Sequence, residues 1–122
     1  MTERIMLAND LTTCYYRLLK ENPKFTRMQI CELLSQAPAP RFYTSVAYAH
    51  RIIRDMSIGK PRASSSRHAQ MHRDIYNRWL SLPERTDEAL QSLLESPAPS
   101  FYLSKHRIKY LLYRIYDRRK QA

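Results

Sequence analysis

Residues 38–45 read Pro-Ala-Pro-Arg-Phe-Tyr-Thr-Ser and residues 97–104 read Pro-Ala-Pro-Ser-Phe-Tyr-Leu-Ser, six identities in eight at an offset of 59. A segment kept twice, with its flanks, implies one structural unit built twice. The flanks continue the match. Ala49, Ile52, Ile53 and Met56 stand opposite Ile108, Leu111, Leu112 and Ile115. Upstream, Tyr15-Tyr16-Arg17-Leu18-Leu19 meets Tyr76-Asn77-Arg78-Trp79-Leu80 at an offset of 61. A two-residue length difference near Asn22-Pro23 and Leu82-Pro83 accounts for the drift.

Each copy reads as three helices. In the first, Leu7, Leu11, Cys14, Leu18 and Leu19 recur at helical spacing until Pro23 stops the run. Thr26, with Gln29 three residues on, has the pattern of a capping box before Ile30, Cys31, Leu33 and Leu34. The Pro-Ala-Pro segment must run extended, because each proline pushes the residue before it away from helical angles. Thr44 or Ser45 then caps a third helix with the apolar stripe Val46, Ala49, Ile53 and Met56, and Gly59 followed by Pro61 ends it. The second copy repeats the plan. Met71, Ile75, Trp79 and Leu80 mark its first helix, Thr86 with Asp87 and Glu88 starts its second, and Ser104 caps its third. The expected fold is all-α: two duplicated three-helix units, residues 1–58 and 69–122, joined by a basic linker at 59–68.

Composition supports this class. Gly59 is the only glycine in 122 residues, whereas sheet hairpins and phosphate-binding loops both call on glycine. The net charge is +10, and it divides into +3 for residues 1–56, +3 for 57–68 and +4 for 69–122. Such an excess favours polyanions through attraction and counterion release. No stretch is long and apolar enough to span a bilayer, and the N-terminal residues lack a signal-peptide layout. Cys14 and Cys31 lie in apolar helical patterns, where a reduced thiol behaves as a small hydrophobe, so the expected location is a reducing, cytoplasmic one.

Catalytic and metal constellations are poor. The glycine count rules out a dinucleotide fingerprint. His68 and His72 can share a helix face, yet Cys14 and Cys31 stand too far apart for paired zinc ligands. Asp74, Glu84, Asp87 and Glu88 read as helix-end or solvated charges. The expectation is no enzyme, no metal and no cofactor.

Binding is the better reading. Phe42 and Phe101 are expected to plug the core, while Tyr43 and Tyr102 can sit at a rim. The third helices carry His50, Arg51 and Arg54 in one copy, and Lys105, Lys109, Tyr110, Tyr113 and Arg114 in the other. Arg118 and Arg119 follow at the C-terminal end, beside Tyr116. Lys60, Arg62 and Arg67 add diffuse attraction from the linker. Arginines interleaved with aromatics suit phosphates and bases. The expected partner is nucleic acid, with DNA favoured over RNA. The alternative is a structural or adaptor protein that docks on an acidic protein partner through the same face.

A short helix, a connection and a capped basic helix also resemble the plan of helix-turn-helix DNA readers. The connection over residues 35–43 is longer than the three or four residues usual for that motif. The paired Pro-Ala-Pro-x-Phe-Tyr element is similar to one in small basic proteins of bacterial phages and mobile elements. That resemblance covers the second half of each copy and implies a DNA-associated role.

Overall fold

The computed structural model describes residues 2–60 and 65–121, with the side chains of the last helix described as far as Arg114. These residues form six α-helices: α1 Glu3–Glu21, α2 Arg27–Gln36, α3 Val46–Ser57, α4 Ser66–Leu80, α5 Asp87–Glu95 and α6 Lys105–Gln121. Among the described residues there is no strand beyond a single pair of bridging residues, Ala39 and Ala98. None of the helices is long and apolar enough to cross a membrane.

Local chemistry sets the helix ends. Thr26 accepts from the Gln29 N–H at 3.2 Å, while the Gln29 side chain accepts from the Thr26 N–H at 2.7 Å, closing a capping box. Ser45, rather than Thr44, caps α3 by accepting from the Tyr48 N–H. Thr86 caps α5, and the Ser104 hydroxyl accepts from the Arg107 N–H at the start of α6. Gly59, at φ +72°, ends α3 in a Schellman motif. There the Lys60 N–H donates to the Asp55 carbonyl, and the Gly59 N–H donates to that of Met56. The basic segment is shorter than expected, because Ser65 accepts from the His68 N–H and starts α4 at Ser66.

Packing divides the chain differently from the expected 1–58 and 69–122. One unit comprises Met1–Ala39 and Ala98–Ala122, and the other comprises Pro40–Pro97. In the first, α6 packs on α1 and α2; in the second, α3 packs on α4 and α5. The helix α3 therefore packs with the two helices that follow it, and α6 with α1 and α2. The cause lies in the Pro-Ala-Pro segments. Ala37, before the first proline, is extended at φ −81° and ψ 151°, so the chain runs on instead of turning back. Ala39 and Ala98 then exchange two backbone hydrogen bonds of 2.9 Å where the chain leaves and re-enters the first unit.

The first unit buries Leu11, Ile30, Cys31, Leu34 and Ile108, with Phe101 closing one end. The second buries Ile52, Ile75, Leu90 and Leu94 around Phe42. Burying one such phenylalanine contributes on the order of 1.5–3 kcal/mol. The α3 stripe is rotated from expectation: Ala49, Ile52 and Asp55 face inward, whereas Val46, Ile53 and Met56 are only half-buried. An aspartate on the inner face broke the apolar pattern and drew the expected stripe one position round. Tyr102 is buried and takes a left-handed φ of +57°, its N–H held by the Ser100 hydroxyl at 2.8 Å. Position 41 in the other copy is an arginine, whose Nε donates to the Phe42 carbonyl instead.

Candidate nucleic-acid interface

The outer face of α6 follows from its inner one. Ile108 is fully buried and Leu111 and Leu112 are half-buried against α1 and α2. Helical spacing then turns His106, Lys109, Tyr110 and Tyr113 outward, at i, i+3, i+4 and i+7. Tyr110 and Tyr113 remain 49% and 54% exposed. An aromatic this open in a folded domain is not held by core packing. The guanidinium of Arg107 lies 5.2 Å from the Tyr110 ring centre, and that of Arg114 lies 5.7 Å from it. One exposed ring is thus flanked by two cations.

Of the remaining expected residues on α6, Lys109 is exposed and Lys105 is partly committed, 4.0 Å from the Glu32 carboxylate. Arg107 was not among the expected residues, although its spacing of three from Tyr110 and seven from Arg114 makes it legible once α6 is in register. The side chains of Arg118 and Arg119 lie outside the described residues.

In the other unit, α3 presents Arg51 and Arg54, both exposed. Arg54 sits 3.7 Å from the Asp55 carboxylate, with two thirds of its side chain open to solvent. His50 points to α5, where its Nε2 meets the Asp87 carboxylate at 2.8 Å. This pair removes His50 from the free basic face. Lys60 and Arg67 are exposed, and Arg62 lies outside the described residues. Arg67 occupies the first turn of α4, where a cation opposes the helix dipole, so helix stability does not account for it. Among the described residues, the expected ones thus fall on both units, Lys105, Lys109, Tyr110, Tyr113 and Arg114 on one and Arg51, Arg54, Lys60 and Arg67 on the other.

Of the groups considered for catalysis or metal binding, Cys14, Cys31 and His72 are buried. Cys14 and Cys31 are free and buried, and burial pushes both thiols up; Arg17 and, for Cys31, Arg27 and Lys109 offset this in part. A thiol held neutral in this way is a poor nucleophile. His72 is 3% exposed, lies edge-on to the Tyr48 ring at 6.1 Å, and has its pKa lowered by burial and by His68, against a raising effect of Asp55. Among the described residues no group of three or more His, Cys, Asp or Glu is placed to hold a metal ion. Arg78 is also spoken for: it donates to the Pro97 carbonyl at 2.7 Å and lies 4.9 Å from the Phe42 ring centre. No protein-family model, curated protein or solved structure matches the chain.

Proposed function

We propose that this chain is a non-enzymatic nucleic-acid-binding protein, with duplex DNA as its preferred polymer. It holds phosphates through the basic outer faces of α6 and α3. The observation that carries this reading is the exposed Tyr110 between Arg107 and Arg114, with Lys109 and Tyr113 alongside. Cations around open aromatics suit phosphate and base or sugar contact together. In this reading the two units are duplicated helix-turn-helix-like modules, each completed by the third helix of the other sequence copy. Two such modules on one chain raise affinity through effective concentration. The reading places the protein in a bacterial or phage-infected cytoplasm, in a phage or mobile element.

The test is binding of nuclease-treated protein to labelled duplex DNA, single-stranded DNA and RNA across a salt series, read by fluorescence anisotropy. Duplex DNA should bind most tightly, with a steep fall of log affinity on log salt. Lys109→Gln with Arg114→Gln, and separately Arg51→Gln with Arg54→Gln, should each reduce that slope by about 1–2. No binding to any polymer at low salt would sink the reading. A protein partner with an acidic surface would then be the reading left for the same face.

A further inference from the structure

The seam between α1 and α6 opens into a groove of about 340 Å³, at the small end of the 300–1,000 Å³ typical of small-ligand pockets. Its floor is apolar, with Leu7, Leu11 and Leu111 among the lining side chains, and its rim carries three arginines, Arg4, Arg107 and Arg114. Among the described residues no carboxylate lines it. Among the described residues none of the three guanidiniums forms an ion pair. Arg4 sits in the first turn of α1, beside the positive end of that helix dipole, so it adds to a positive potential that is already there.

The α3–α4 seam of the other unit is lined differently. At the sequence offsets of 61 and 59, Leu11, Arg107 and Arg114 are replaced by His72, Tyr48 and Asp55. There the Tyr48 ring lies edge-on to the buried His72, and Asp55 is itself buried. One seam satisfies its polar groups internally. The other pairs an apolar floor with three arginines that form no ion pair among the described residues.

We infer that the α1–α6 groove binds a small organic anion with an apolar body, its tail on the leucine floor and its carboxylate or phosphate held by Arg4, Arg107 and Arg114. Apolar area removed from water holds the tail, and charge-assisted hydrogen bonds from the guanidiniums select the anionic head. Arg107 and Arg114 also flank Tyr110, so an occupied groove engages two cations of the outer α6 face.

Isothermal titration calorimetry of the full chain with decanoate, decyl phosphate and decanol, all below micelle-forming concentrations, tests this. At least one of the two anions should bind saturably at one site, and the tighter of them identifies the head group. Decanol should bind about tenfold or more weakly, since it offers no charge to the arginines. Arg4→Gln with Arg107→Gln should weaken the anion by about tenfold or more while leaving the far-ultraviolet circular dichroism unchanged. Ala8→Phe, which fills the groove and keeps every charge, should abolish binding. Absence of saturable binding by both anions, equal binding of decanol, or wild-type affinity in the double variant would each overturn the proposal. The titration contains no nucleic acid, so its outcome is independent of the salt series.

Discussion

The α1–α6 seam and the α4–α3 seam differ in what they do with polarity. In the second, His72 and Asp55 are buried beside Ile52 and Ile75, and the exposed Tyr48 ring lies edge-on to the histidine. In the first, leucine takes the place of the histidine, and arginines at the rim take the places of the tyrosine and the aspartate. A buried polar group needs a partner within the fold, whereas a cation at a rim keeps its hydration and stays available. The comparison teaches that a few side chains decide whether a seam between two helices buries its polar groups or presents them outward.

The largest test of that comparison is at the two phenylalanines. Phe42→Ala and Phe101→Ala should each destabilise by about 3–5 kcal/mol, read from denaturant unfolding midpoints. Phe42→Ala should be the more costly, because it also removes the ring beneath Arg78. A loss well under 1 kcal/mol at either site would break the picture of two equivalent plugs.

A smaller effect separates the two seams by pH. His72 has a folded-state pKa below its ordinary value of 6.5, with burial as the chief cause. The unfolded chain therefore binds a proton at this position more readily than the folded one. The stability it contributes is fully present above pH 6.5 and is lost as pH falls toward the lowered folded value. His72→Leu, which copies Leu11 of the other seam, should flatten that acid-side decline. An unchanged slope of stability against pH between 7 and 5 would show that His72 is not the group responsible.

The smallest expected difference lies at the second helices. Thr26→Ala and Thr86→Ala should each cost about 1 kcal/mol, again from unfolding midpoints. The α2 cap is closed from both sides by Gln29, whereas α5 relies on Thr86 with Asp87 and Glu88 in its first turn. Added salt should weaken the start of α5 and leave that of α2 unchanged, because only the former has a charge–dipole component to screen.

Much of this was legible from residue chemistry over short range. The capping serines and threonines, Gly59 after α3 and the two plugging phenylalanines are local signals, and each acts within a few residues of itself. The inner face of α3 was misplaced because Asp55, a residue seldom buried, occupies it. His72 read as a possible ligand and is instead packed against Tyr48, a contact no spacing within α4 reveals. Arg107 was within reach of a register argument. Arg4 was not, since its significance depends on α6 lying against α1.

The amino-acid sequence by itself pointed to six helices, the caps of α2, α3, α5 and α6 and the extended prolines between them, because hydrogen bonding to free backbone groups and the steric limits of proline operate over a few residues. Which helix completes which pair was decided only in three dimensions. The inner face of α3 carries Ala49, Ile52 and Asp55 and that of α6 carries Ile108 and Leu111, and helical spacing alone does not say which pair of helices either one covers. The choice rests on the direction in which each Pro-Ala-Pro segment leaves its second helix and on the backbone pairing of Ala39 with Ala98. These are long-range geometry, and no hydrophobic period encodes them.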